Sequence, residues 1–317
     1  MCGYGRDDFD AEGTLAELAR GRYTGFFGFP VTYTAMKEAA LLAYDLRHMR
    51  FWASTADASH EMIQRAFVAL GSAFTGMLLP VRGSVYLDAQ GSSEVGTPPV
   101  IRYVTPFTRS FARRVGRPGS SPYGPDIRIV SAEGTPVTDG SAGRLEVHGR
   151  TVFLGYWNDA ALTHRVIRDG WFFTGDVVRR APDGHLVQLD REVDVIQTGR
   201  GPVYSLLIEE NVHAHSAVLD ACVYGARQDD GTQLPAVAIA LKRGVRVSER
   251  DLIAELNTML GEPERLQRLE IMPWKDFPMG VTGKTLKRVF RERTERKSTQ
   301  GSYSAPHDTV IVAAGRV

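Results

Sequence analysis

Trp171-Phe172-Phe173-Thr174-Gly175-Asp176, followed by Val177 and Val178, is the stretch on which the reading of this chain turns. It delivers a carboxylate on a Thr-Gly turn, between an aromatic cluster and an apolar pair. A carboxylate accepts only, so one placed this way suits the two hydroxyl donors of a ribose. An Asp in a glycine turn is often just a turn former. What gives this one weight is its company: Gly184-His185-Leu186 and Asp190-Arg191 downstream, and Gly155-Tyr156-Trp157-Asn158-Asp159 upstream.

Composition narrows the field before any further motif is read. A chain of 317 residues is long enough for two domains with real cores. Its 38 Lys and Arg balance 37 Asp and Glu, so no global field draws it to nucleic acid or an acidic membrane. Cys2 and Cys222 are too few and too far apart for a disulfide framework or a zinc site. Residues 1–8 lack the apolar core of a signal peptide and no run reaches spanning length, so a cytoplasmic location is expected.

Outward from the opening stretch, the pattern changes twice. Residues 1–100 alternate helical and strand signals, as an α/β layer would: 61–70 carries Met62, Ile63, Ala66, Phe67 and Leu70 at helical spacing with Gly71 as a stop, and 46–54 reads as a strand. Between 98 and 190 short strands fall between Gly, Pro and Asp turns, at 127–130, 145–148 and 152–156. Beyond Arg191 both signals return. Residues 218–224 and 237–241 read as strands, and Ser248 with Asp251 starts a helix whose Leu252, Ile253, Leu256, Met259 and Leu260 share a face. The expected organisation is a larger domain over 1–190, a smaller one over 191–297, and a polar linker or tail over 298–317. The apolar run at 309–314 resembles the opening strand of thiolases; a docked terminal strand is the plainer reading. Trp52, Trp157 and Trp171 are expected in the core, and His213 and His215 on a helix surface.

The ordered motifs resemble the adenylate-forming superfamily, the AMP-forming acyl-CoA synthetases and adenylation domains, from about Asp10 to Lys297. That resemblance implies the C-terminal part of an adenylate-forming large domain, an α/β layer plus a strand-rich subdomain, followed by a small mobile α+β domain. It implies ATP or AMP and Mg2+ as cofactors, with coenzyme A or phosphopantetheine as a further ligand. Asp88-Ala89-Gln90-Gly91-Ser92-Ser93-Glu94 is similar to the aromatic-Gly-x-Thr-Glu motif, which gives Gly91, Ser92 and Ser93 to the phosphates and Glu94 to magnesium. Gln90 stands where many members set an aromatic ring against adenine. Asp176 and Arg191 become nucleotide ligands, and Val193 and Asp194 the hinge, where a polar residue is usual instead of Val193. The run 198–204 with Ile208-Glu209 resembles the glycine loop that approaches pantetheine, through Gly199 and Gly201; Ser205 replaces the usual Pro and Leu207 the usual Glu. As residues alone, Gly-Arg-Gly-Pro is equally an ordinary hairpin loop.

Pro278-Met279-Gly280-Val281-Thr282-Gly283-Lys284 resembles the closing Gly-Lys motif, whose lysine stabilises charge as the adenylate forms. It imitates a phosphate loop of nucleotide hydrolases, but Pro278 occupies the place of that motif's first Gly. The helix after it presents Leu286, Val289 and Phe290 on one side and basic residues elsewhere. The family's Ser/Thr/Gly-rich loop ending in Pro-Lys does not occur in these residues. Three readings follow: an N-terminally truncated AMP-forming acyl-acid ligase homologue; an enzyme acting on a preformed adenylate or thioester, or one subunit of a split ligase completed by an N-terminal partner; and a non-catalytic partner of an acyl carrier protein or ligase. An apolar face left by the missing part would favour an oligomer. The carboxylic acid itself is not legible.

Overall fold

Four short strands near the start of the chain form the first layer. A computed structural model describes residues 9–57, 59–76, 81–109, 113–138 and 140–299, with side chains to residue 295. Residues 1–8 and 300–317, including the run at 309–314, lie outside the described residues. In order come α1 (Ala11–Arg20), β1 (Gly25–Gly28), α2 (Pro30–Glu38), β2 (Phe51–Thr55), α3 (Glu61–Val68), β3 (Val85–Gln90) and β4 (Val100–Val104). The sheet runs β1-β2-β3-β4, parallel through β3 and antiparallel at β4. Tyr33, Trp52, Phe67 and Tyr86 are buried together, with Phe67 4.9 Å from both Tyr33 and Trp52. Edge-to-face pairs of this kind add about 0.5–1.5 kcal/mol each beyond the area they bury.

The strand expected over 46–54 is shorter than its apolar content suggests. Residues 46–50 form a turn in which Met49 N–H donates to Leu46 C=O at 3.1 Å, and only from Phe51 does the chain pair as β2. Leu46 and Met49 are both buried, three apart, a spacing that fits a turn and not a strand's period of two. Gly71 stops the third helix as read: its φ is +90°, and a Cβ there would lie 2.2 Å from the Met49 carbonyl oxygen.

The next layer is strand-rich. It comprises β5 (Arg114–Gly116), β6 (Asp126–Val130), β7 (Gly143–His148), α4 (Ala160–Val166), β8 (Ile167–Arg168), β9 (Trp171–Arg180) and β10 (Leu186–Arg191), in the order β5-β10-β9-β7-β6 with β8 against β9. Val100, Val115, Ile129, Leu145, Val178 and Leu186 make its core. Residues 152–156 are a loop, not the expected strand, because their backbone groups bond elsewhere. Phe153 N–H donates to Glu94 C=O at 2.7 Å, and Tyr156 N–H to Thr163 Oγ1 at 2.9 Å. Trp157 is 98% exposed instead of buried. Trp171 is half-buried beneath the Arg128 guanidinium, 4.2 Å from its ring.

The remainder holds β11 (Ile196–Thr198), β12 (Gly201–Val203), α5 (Ser205–Ala214), β13 (Val218–Arg227), β14 (Gln233–Leu241), α6 (Glu249–Asn257), β15 (Arg268–Ile271) and α7 (Lys287–Thr299). The sheet β13-β14-β15 is buried on both faces, which is why 218–227 and 233–241 read as nearly continuous apolar runs. Val223, Val237 and Ile239 pack with Ile208, Val212, Leu252 and Leu256. Tyr224, Ala236 and Ala238 pack with Phe277 and Phe290. Ser248 caps the sixth helix by accepting from Asp251 N–H at 3.1 Å; Met259, past its end, is exposed. His213 is buried 3.6 Å from Asp220, correcting the surface placement. The last helix runs through Thr299, into the expected tail.

Contacts divide the chain into two units. Among the described residues, one contains Glu12–Tyr33 and Leu42–Val193; the other contains 9–11, Thr34–Leu41 and 194–299. Among the described residues, no helix is long and apolar enough to cross a membrane.

Candidate functional site

Asp176 reaches its place through a bulge. On β7, Arg144 pairs with Val177 and Glu146 with Phe173, so Thr174, Gly175 and Asp176 stand against Leu145 alone. Thr174 fills the break: its hydroxyl donates to Leu145 C=O at 3.1 Å and accepts from Asp176 N–H at 3.1 Å. Bulges of this kind re-aim a side chain. Gly175 is favoured by its φ of +83°, and a Cβ there would displace the tip of the flexible Arg191 side chain, whose Nη2 lies 2.8 Å away. Arg191 thus lies across the glycine, with Nε 3.6 Å from Asp176 Oδ1.

Glu94 joins the same group. It lies in the turn after β3, beyond Gly91, Ser92 and Ser93, which are exposed. Tyr156 donates its phenol to Glu94 Oε1 at 3.1 Å. Burial pushes the Glu94 carboxyl up; its own backbone N–H, the Ser92 hydroxyl, Tyr156 and the Arg191 charge outweigh this and hold it below the ordinary carboxylate range. The Tyr156 phenol is raised, by burial first and then by donating to a carboxylate. One guanidinium therefore pairs with the Asp176 carboxylate and lends its charge to that of Glu94, which a phenol orients.

The structure brings Glu94, Asp176 and Arg191 together, and it adds Tyr156 and Gln188, which the motifs did not single out. Gln188 Nε2 donates to Asp176 Oδ1 at 3.3 Å. A readable hint of Tyr156 was its place in the aromatic run before Asn158-Asp159; Gln188 gave none. A hard cation fits Glu94 in part: magnesium is commonly held by one or two carboxylates plus phosphate oxygens. Among the described residues, no group of three or more His, Cys, Asp or Glu forms a protein-only metal cage.

Asp88, in the same unit as Asp176 and Glu94, is a third carboxyl of note. Burial raises it to about 6, against the lowering effects of Arg113, the Ser54 hydroxyl, Arg102 and Gln64. Ser54 donates to its Oδ1 at 3.2 Å and Gln64 to its Oδ2 at 2.9 Å.

The other residues singled out from sequence lie in or at the edge of the second unit. Gly199 and Gly201 form the tip of the β11-β12 hairpin, with open space around both and φ +114° at Gly201. Lys284 ends a tight turn closed by Gly280 N–H to Lys284 C=O at 2.8 Å, with Gly283 at φ +76°. Three residues on, Lys287 is buried against Glu209 Oε1 at 2.9 Å. Val193 is 77% exposed, while Asp194 accepts from Arg291 Nη1 at 2.7 Å.

An α/β layer, an antiparallel layer bulged at Thr174-Gly175-Asp176 and a small α+β unit with a Gly-Lys turn before its last helix define the C-terminal part of an adenylate-forming enzyme. Residues 207–284 match the AMP-binding enzyme C-terminal domain. A 3-aminoavenalumate diazotase from a Streptomyces species is 33% identical over 86% of this chain and 52% of its own length. A feruloyl-CoA synthase from an Amycolatopsis species is 26% identical over 90% of this chain and 55% of its own. The solved amide bond synthetase of Marinactinospora thermotolerans superposes with a TM-score of 0.74 at 26% identity, over 90% of this chain and 55% of that one. The chain belongs to the adenylate-forming superfamily and spans about half the length of these relatives.

Proposed function

We propose that this chain contributes to an AMP-forming acyl-acid ligase. Asp176 would accept the ribose hydroxyls, Arg191 would hold that carboxylate and the phosphate side in one field, and Glu94 would share magnesium with the phosphates. Ser93, beside Glu94, would contact the α-phosphate, with Gly91 and Ser92 leaving room for it. Magnesium, when bound, supplies charge neutralisation on the triphosphate. The observation that supports this reading is the Asp176 carboxylate 3.6 Å from Arg191 Nε, on the Thr174-Gly175 bulge, with the charge of the same arginine helping to hold Glu94 ionised. A fold kept only for surface binding has no need of two carboxylates arranged about one guanidinium.

In the reaction, a carboxylate oxygen bonds to the α-phosphorus, the bond to the β-phosphate oxygen breaks, and pyrophosphate leaves with the electron pair. No proton moves, so positioning and charge stabilisation carry the rate. Lys284 would supply the positive charge on its turn. Residues 191–297 would act as a lid swinging about Val193 and Asp194, and the Gly199 to Gly201 hairpin would then admit a pantetheine thiol of coenzyme A or a carrier protein. The named activities of the feruloyl-CoA synthase and the amide bond synthetase support acid activation as the shared step.

The test is pyrophosphate release by the purified chain with magnesium-ATP and a panel of aliphatic and aromatic carboxylates. Release that requires a carboxylate and disappears in Lys284→Ala supports the reading. Release that is indifferent to the carboxylate, or unchanged in Lys284→Ala, overturns it.

A further inference from the structure

The tenth strand carries one residue more than the ninth can pair: Gln188 faces Val178 and Asp190 faces Val177, which leaves Leu189 as a bulge. Side chains alternate along a strand, so Gln188 and Arg191, three apart, would lie on opposite faces of a regular ladder. The extra residue returns them to one face. Both then reach Asp176 Oδ1, Gln188 Nε2 at 3.3 Å and Arg191 Nε at 3.6 Å. Of these two contacts, only the amide is within hydrogen-bond range.

Gln188 is itself held at two points. Its backbone N–H donates to Arg113 C=O at 3.1 Å, and Arg113 Nη2 donates to its Oε1 at 2.9 Å. A guanidinium only donates and a carboxylate only accepts. The amide therefore has one satisfying orientation, with oxygen toward Arg113 and NH2 toward Asp176. Arg113 adopts a costly conformation to do this. It is 6% exposed and its φ is +59°, a left-handed backbone that L side chains rarely adopt outside glycine. Its charge also reaches Asp88. A buried arginine in a strained conformation, bonded to the amide that donates to Asp176, points to a role in setting that carboxylate.

We propose that Arg113 and Gln188 are positioning residues for the ribose-binding carboxylate: the guanidinium orders the amide, and the amide fixes the plane in which Asp176 meets the two hydroxyls. This rests on the nucleotide reading given above and goes beyond it, since neither residue would touch the ligand. Discrimination for a ribose diol then depends on a residue 75 positions away from Gln188 in sequence.

The experiment is calorimetric binding of AMP and of 2′,3′-dideoxy-AMP to the full chain, in wild type, Gln188→Leu and Arg113→Gly. Arg113→Gly relieves the backbone strain while removing the guanidinium, so it guards against misfolding of the other variant; thermal melts report the fold of each. Wild type should prefer AMP. Each variant should lose about tenfold of AMP affinity, the worth of one charge-assisted hydrogen bond, with dideoxy-AMP affinity unchanged. Wild type that does not distinguish the two nucleotides overturns the ribose reading itself. A wild-type preference retained in both variants, or an equal loss for both nucleotides, overturns the positioning role alone.

Discussion

Replacing Lys287 by Met removes the cation from a buried pair and leaves its anion behind. Lys287 Nζ lies 2.9 Å from Glu209 Oε1 and also donates to Ser205 Oγ, while Glu209 Oε1 accepts from Val223 N–H at 2.8 Å. At an effective dielectric of 20, charges 2.9 Å apart attract by about 6 kcal/mol. Desolvation of two ions, several kcal/mol each, offsets most of that, so the pair is close to neutral against a well-packed apolar substitute. Breaking it is another matter. Glu209 is 4% exposed, and stranding a charge at such a site costs about 3–5 kcal/mol. In Lys287→Met/Glu209→Gln the amide oxygen still accepts from Val223 and the amide NH2 can donate to Ser205, so the double variant should recover all but about 1–2 kcal/mol. The assay is amide hydrogen exchange over β13 and β14, since a unit-resolved readout is needed where two units can unfold separately. A loss of 3 kcal/mol accelerates exchange by about 150-fold, and the double variant should return to within about tenfold of wild type. Exchange in Lys287→Met within threefold of wild type, or a double variant as labile as the sum of its singles, would refute the reasoning.

Three further outcomes follow from single positions. Asp88 keeps its proton in the folded chain from its ordinary value of 3.8 up to about 6, whereas the unfolded chain has released it. Stability from this group is therefore full below pH about 4 and lost as pH rises through about 6. Asp88→Asn should stabilise the chain by up to about 3 kcal/mol at pH 7.5 and be neutral at pH 4, and urea titrations showing the same difference at both pH values would contradict this. Gly175→Ala should lower AMP affinity about tenfold through a displaced Arg191; unaltered affinity would show that Arg191 does not depend on the glycine. Gly71→Ala forces a Cβ against a backbone carbonyl at φ +90° and should lower stability by 2 kcal/mol or more on the scale of steric strain at special backbone positions, as read from the melting midpoint.

The parts of the site that the sequence exposes are those whose chemistry is local. Thr174, Gly175 and Asp176 form their bulge from adjacent residues, and Ser248 caps its helix three residues away, so both are legible in order along the chain. Tyr156 is not, because its partner Glu94 is 62 positions distant, and Gln188 finds Arg113 only 75 positions away. The Leu189 bulge hid Gln188 further, since strict alternation puts it on the wrong face. Residues 152–156 carry a strand's composition, but their N–H groups are taken by Glu94 and Thr163, and hydrogen-bond partners are not written in composition. The strands read at 218–224 and 237–241, which the structure extends to 227 and back to 233, were plain for the opposite reason. Burial on both faces leaves a continuous apolar run that needs no partner to be recognised.

The central claim is that a carboxylate oxygen of the substrate becomes bonded to the α-phosphorus of ATP. Supplying the chain with magnesium-ATP, an acyl acceptor thiol and a carboxylic acid labelled with oxygen-18 in both carboxyl oxygens tests it directly. Transfer of the acyl group to sulfur breaks the bond between acyl carbon and phosphate-bound oxygen, so the account predicts AMP carrying one oxygen-18 atom. Unlabelled AMP formed in step with product, or ADP in its place, would contradict it.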